Sequence, residues 1–204
     1  MKFMLFVEGA TEKILPSLLK GWLDPRLPVP VGIRVISFEG VSDYYTGIRK
    51  RVELSLDGSP GAEVIAAIGL LDLYGFYPAD KQPRAERYAW AKAHVEDLVK
   101  NHRFRQHFAI HETEAWLLAD PEIFPRKVKG SLPRGISRPE TVNFDNPPAR
   151  LLARLYQEKL GRKYKKVIDG ATLFRLLSPE RAYEKCPALK ALLDDMLELA
   201  QAAG

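Results

Sequence analysis

The chain has 204 residues, 46% of them hydrophobic, with a formal net charge of +5 and a pI near 9.2. That length suits one large domain, or one domain with an appended part, around a sizeable core. The single cysteine, Cys186, excludes an internal disulfide and a cysteine-rich zinc site and fits a reducing cytoplasm, while the basic surplus suits either an anionic partner or a solvated basic surface.

Residues 2–7 read as a buried strand, apolar from Phe3 onward and stopping at Glu8-Gly9. The run is too short to span a membrane, and Glu8 and Glu12 argue against a signal peptide. A helix is predicted over 12–23 with Thr11 as its N-cap. Pro16 would remove an amide bond there, so the helix begins late or bends. Residues 24–31 hold three prolines and read as a loop. Residues 33–38 alternate and end at Glu39-Gly40, a second strand. Residues 43–55 are helical in pattern, with Ile48, Val52 and Leu56 on one stripe. Asp57-Gly58-Ser59-Pro60-Gly61 is a turn. Residues 64–71 are apolar throughout, as a central parallel strand should be, and end at Asp72. A loop with Gly75, Pro78 and Pro83 precedes a helix over about 84–100. Residues 106–111 give a fourth strand and 112–118 a helix. The stretch 120–148, rich in Pro, Gly, Arg and Lys, reads as a long, basic, partly ordered excursion. Residues 148–160 and 187–203 are the last clear helices. Strand and helix alternate through the first 119 residues, so the fold class is α/β, a parallel sheet flanked by helices. Residues 1–119 form that core, and 120–204 supply the basic excursion and mostly helical C-terminal part packed on the same domain.

Acids stand where α/β sheets build their sites, at the carboxyl ends of strands: Glu8 with Glu12, Asp72, and Glu112 with Glu114. Hard divalent cations take oxygen ligands, usually one or two carboxylates with water and substrate phosphate. Such an ion polarises a phosphoryl oxygen and activates water. Acids at several strand ends in a basic chain therefore point to a divalent-metal site, with Mg2+ and its substitute Mn2+, acting on a phosphate polymer. Glu12 has an ordinary alternative as a first-turn helix acid, Asp72 as a cap, and Glu8 as a solvated strand end. In a helix begun by Glu112, His111 and Glu114 share a face. Periodicity does not decide whether Glu112 or Glu114 faces the site. His111 is a ligand, a proton shuttle or a plain strand-end residue.

Arg126, Lys127, Lys129, Arg134 and Arg138 crowd the excursion, and Arg162, Lys163, Lys165 and Lys166 form a second cluster around Tyr164. Either cluster would neutralise phosphates without reading sequence, and either is also an ordinary solvated surface. Trp116 is expected in the core. Tyr77, Tyr88 and Trp90 offer stacking surface, although helix packing accounts for the last two. Several other chemistries are excluded. His111-Glu112 lacks the second histidine of a zinc protease, since Ala115 stands there, and lacks the paired cysteines of a deaminase. No P-loop lysine follows a glycine-rich turn, and there is no serine-centred nucleophile elbow.

The stretch Val7-Glu8-Gly9-Ala10-Thr11-Glu12, followed far downstream by an apolar strand ending in Leu71-Asp72, resembles the Toprim domain of topoisomerases, DnaG-type primases and overcoming-lysogenization-defect nucleases. The longer pattern is closer still to the bacterial domain of unknown function family 4276. Its landmarks are matched at that stretch, at Leu71-Asp72-Leu73-Tyr74-Gly75-Phe76, at His111 to Leu118, near Tyr164-Lys165-Lys166 and at Cys186-Pro187. The resemblance implies a Toprim-like, Rossmannoid sheet. It implies that Glu8 is the general acid/base or metal glutamate and Asp72 the first aspartate of a D-x-D pair. Tyr74 stands where the second aspartate would be, which puts two-metal chemistry in doubt. Glu112 or Glu114 would replace the missing acid, and Tyr74 would instead hydrogen-bond a phosphate. The implied activity is a Mg2+-dependent nuclease cutting DNA or RNA through Glu8, Asp72 and Glu114, with an ABC-type ATPase partner in phage defence. The rival reading is a binding module whose chemistry went with the second aspartate. A third, a phosphotransfer enzyme for a small ligand, calls for a compact closed pocket.

Overall fold

The computed structural model describes residues 1–9, 14–57, 63–83, 86–133, 136–141 and 147–204. Thr11, Glu12, the turn after Asp57 and Arg134 lie outside the described residues. Four strands, β1 (Lys2–Glu8), β2 (Gly32–Phe38), β3 (Val64–Asp72) and β4 (Phe104–Ala109), form one parallel sheet in the order β2-β1-β3-β4. The apolar runs are continuous because β1 and β3 are central and buried on both faces. Phe3, Leu5 and Val7 enter one core and Met4 and Phe6 the other.

Two helices, α2 (Val41–Asp57) and α3 (Arg87–Val99), cover one face. Tyr44, Ile48, Val52 and Leu56, four residues apart, give α2 its buried stripe. The other face carries α1 (Leu15–Leu23), the short α4 (Glu114–Leu117) and α5 (Arg126–Lys129), then α6 (Pro148–Leu160), α7 (Ala171–Leu176), α8 (Pro179–Lys185) and α9 (Pro187–Ala203). Pro16 sits in the first turn of α1, where a missing amide costs nothing, so the helix starts at Leu15 rather than bending. Lys92 of α3 and Asp195 of α9 lie 3.8 Å apart. Helices from opposite faces thus meet around the edge strand β4 and shield it.

Three expectations need correction. The fourth strand runs Phe104–Ala109, not 106–111, because His111 takes a left-handed φ of 68° that no strand accommodates. The helix after it starts at Glu114, so His111 and Glu114 are not a pair on one helical face. The basic excursion is partly core: Phe124, Val128 and Leu132 are buried with α4 and α6. Its Glu140 is almost fully buried and accepts hydrogen bonds from Trp116 Nε1 at 3.0 Å, the Ala188 amide at 2.8 Å and the Leu189 amide at 3.2 Å. A carboxylate at the amide-rich start of α9 is electrostatically favoured, and here it also anchors α4.

The centre of the sheet has one close approach. The Tyr44 hydroxyl donates to Gln106 Oε1 at 2.6 Å, and both atoms press on Gly69 of β3 where a Cβ would stand. Any side chain at 69 must displace a buried, satisfied hydrogen bond. Gly69→Ala is therefore expected to lower stability by about 1–3 kcal/mol, the usual cost of overpacking. An unchanged urea midpoint would show that this crossing is loose.

Candidate functional site at the ends of β1 and β3

From β1 the chain moves outward to β2, then returns past β1 to β3. The connections after β1 and β3 therefore leave in opposite directions and open a crevice between them, the switch point where such sheets bind ligands. A cleft of about 770 Å³ lies there, lined by Glu8, Asp72, Tyr45, Tyr74, Thr113 and Lys166 among others. Gly9 makes the exit from β1 possible with a φ of 83°, its amide bonded to Phe38 O at 3.0 Å.

Glu8 ends β1, and the Val41 amide at the start of α2 favours its charged form. Burial pushes its pKa up, while Lys166 and the Val41 amide pull it back. Asp72 ends β3. Its Oδ1 accepts from the Thr113 amide at 2.9 Å, and its Oδ2 lies 3.8 Å from Lys166 Nζ. Glu114 opens α4 and is fully buried, with 0% exposure. Its Oε2 lies 3.2 Å from Lys166 Nζ and 3.5 Å from Thr113 Oγ1, which donates to it. Its Oε1 is buried without a hydrogen-bond donor among the described residues. The connections after β3 and β4 are tied by a hydrogen bond from the Tyr74 amide to His111 O, 2.9 Å, so Asp72 and Glu114 are held together.

The other anticipated residues are dispersed. Glu112 turns from the cleft to α6, where Oε2 accepts from the Ala149 amide at 2.9 Å. Burial raises its pKa; Glu114 adds to the rise, while the Ala149 amide, Lys166 and Arg150 oppose it. His111 is buried and does not line the cleft. Tyr74 stands on the rim, 47% exposed. Arg126, Lys127 and Lys129 are exposed on α5, with Lys129 paired to Glu122 at 2.6 Å. Lys163 and Lys165 are exposed in the segment after α6.

Lys166 differs from its basic neighbours. It begins a single π-helical turn, Lys166–Gly170, a feature common at functional sites. Asp169 in that turn accepts a two-pronged bond from Arg162, at 2.9 and 2.7 Å, and a third from the Lys165 amide at 2.7 Å. The Arg162 fork holds the Asp169 carboxyl below its usual range. This brace aims Lys166 inward, between Asp72 and Glu114 and within electrostatic reach of Glu8 and Glu112. Basic composition alone gave Lys166 no distinction. Its place in the Tyr164-Lys165-Lys166 landmark was the available signal. Thr113 lay inside the His111 to Leu118 landmark without being singled out, and the Val41 amide and Tyr45 carried no signal.

Among the described residues no three His, Cys, Asp or Glu groups close around one point as a metal cage. An ion here would rest on one or two carboxylates, with water and substrate oxygens completing its shell.

The family model for "Domain of unknown function (DUF4276)" matches residues 7–197. The chain belongs to the DUF4276 family. This DUF4276 chain is also similar in structure to the C-terminal region of the Burkholderia pseudomallei OLD protein, at 18% identity and a TM-score of 0.49, covering 99% of this chain and 98% of that one. No curated protein matches it. Among the described residues no helix is long and apolar enough to cross a membrane.

The raised Glu8 pKa has a consequence for stability. The folded chain binds the Glu8 proton more tightly than the unfolded chain, whose carboxyl titrates near 4.5. Its contribution is therefore full below 4.5 and is lost as pH rises through the folded value. Glu8→Gln keeps an oxygen for the Val41 amide and removes that loss. The variant should melt above wild type near neutral pH and match it well below 4.5. A lower melting point at neutral pH would mean that the charged carboxylate is stabilised here.

Proposed function

We propose that this cleft hydrolyses phosphodiester bonds in DNA or RNA with one hydrated divalent ion, Mg2+ or Mn2+, held by Asp72 and Glu114. The observation that carries this reading is the arrival of Glu8, Asp72 and Glu114, from the ends of β1 and β3 and the start of α4, around one ammonium group. Two features fit a hard cation. Glu114 Oε1 is a buried carboxylate oxygen without a donor among the described residues, and a positive charge already sits between Glu114 and Asp72. When bound, the ion would polarise a phosphoryl oxygen and acidify water.

The remaining roles belong to the chain. Glu8 would take the proton of the attacking water, a task served by burial that raises its proton affinity toward neutral pH. Asp72, fixed by the Thr113 amide, and Glu114, fixed in α4, would supply oxygens in set positions. Lys166 would balance the acids before substrate arrives, then pair with charge developing on the phosphate. The single cysteine fits a cytoplasmic setting, and family resemblance supports an ABC-type ATPase partner and an effector role in phage defence.

One observation favours a second reading. With Tyr74 in place of an acid and Lys166 where a cation would rest, the ammonium would replace the metal for good. The chain would then be a binding module that docks an ATPase or a nucleic acid. Plasmid nicking separates the two. The nuclease reading expects cutting with Mg2+ or Mn2+, alone or with the ATPase, that stops on chelation. Glu8→Gln, Asp72→Asn and Glu114→Gln should each cost about 100-fold or more, the scale of removing a charge-stabilising group. No metal-dependent cutting under any of these conditions would leave the module.

A further inference from the structure

The cleft also has aromatic lining. Tyr45 of α2 and Tyr74 from the connection after β3 both line it, beside the apolar Val41, Leu70 and Leu71. Tyr45 is held in place before any ligand binds. Its hydroxyl lies 2.8 Å from His94 Nε2, and its ring is near-parallel to the imidazole, with centroids 5.7 Å apart and 19° between planes. His94 stacks in turn on Trp90, one turn back on α3, at 4.5 Å and 15°. A row of three flat rings thus runs from α3 to the cleft wall and ends in Tyr45. The core beneath α2 is filled by Tyr44, Ile48, Val52 and Leu56, so that packing does not call for an aromatic ring at 45.

We propose that Tyr45 and Tyr74 form a stacking slot for an unpaired nucleobase, so that the acid centre takes single-stranded or locally unpaired nucleic acid. This rests on the phosphodiester reading above and narrows it. Every base has a flat π face, and a ring immobilised in advance loses little freedom on stacking. A paired base keeps its faces inside the duplex stack and must be extruded first. The polar side of the same cleft, with Lys166, suits the phosphate next to that base.

The test is binding rather than cutting. Fluorescence anisotropy, with chelator present, compares a short labelled single strand, an abasic strand of equal length and charge, the duplex, and a free mononucleotide as competitor. The base-bearing strand should bind about tenfold or more tighter than the abasic one, within the range for stacking of a single base. Tyr45→Ala and Tyr74→Ala should each erase most of that difference, and Tyr45→Phe should keep it. Tyr74 is on the rim, so its variant tests the slot without disturbing the core. Equal binding of abasic and base-bearing strands would overturn the proposal. So would an unchanged preference in Tyr74→Ala, tighter binding of duplex, or a mononucleotide that competes as well as the strand. Base-dependent binding without cutting would sink the nuclease and keep the slot. Cutting with base-independent binding would do the reverse.

Discussion

The buried Glu114 carboxylate meets a cation at 3.2 Å, and a charge taken out of water needs such a partner. The cation is Lys166, and much of the architecture serves to deliver it. The lysine comes from a π-helical turn far along the chain, braced by the Asp169–Arg162 pair. The carboxylate comes from the turn after β4, fixed by α4 and, through Trp116, by Glu140 at the head of α9. The acids of the N-terminal sheet and the basic C-terminal half are thus two parts of one electrostatic unit. The core repeats that dependence, since one buried cluster draws side chains from β1 to α9.

The sheet contributes position. Parallel strands place all their carboxyl ends on one side, and the order β2-β1-β3-β4 puts the switch point between the strands that end in Glu8 and Asp72. The same geometry points the start of α2 at that crevice, so the Val41 amide offers Glu8 a hydrogen bond. Acid, helix end and lysine then hold each other's charge within a small volume. That pairing offsets part of the repulsion among Glu8, Asp72 and Glu114.

The cleft is lined by the charged Glu8, Asp72 and Lys166 and by two tyrosines, Tyr45 and Tyr74. Charged side chains suit a phosphate, and tyrosine rings suit a flat, weakly polar ring. A nucleotide carries both groups in one covalent unit, at the spacing of its own sugar. This pairing connects the carboxylates, which the fold class makes unsurprising, with Tyr45, which it does not explain.

What the sequence determined by itself was local. Continuous apolar runs marked β1 and β3 because both faces of a central strand are buried, and each run ended at an acid that lines the cleft, Glu8 or Asp72. Helical stripes marked α2, α6 and α9, since a buried face must recur every three to four residues. Tertiary structure alone decided which acids share a site. Glu112 and Glu114 are two residues apart and equally acidic, yet one caps α6 and the other meets Lys166. The difference arises from the left-handed turn at His111 and the start of α4 at Glu114, both consequences of long-range packing. Lys166 was likewise one of a run of basic residues until the Asp169 brace turned it inward. Periodicity describes the neighbours along a chain, whereas charge pairing and ring stacking depend on neighbours in space.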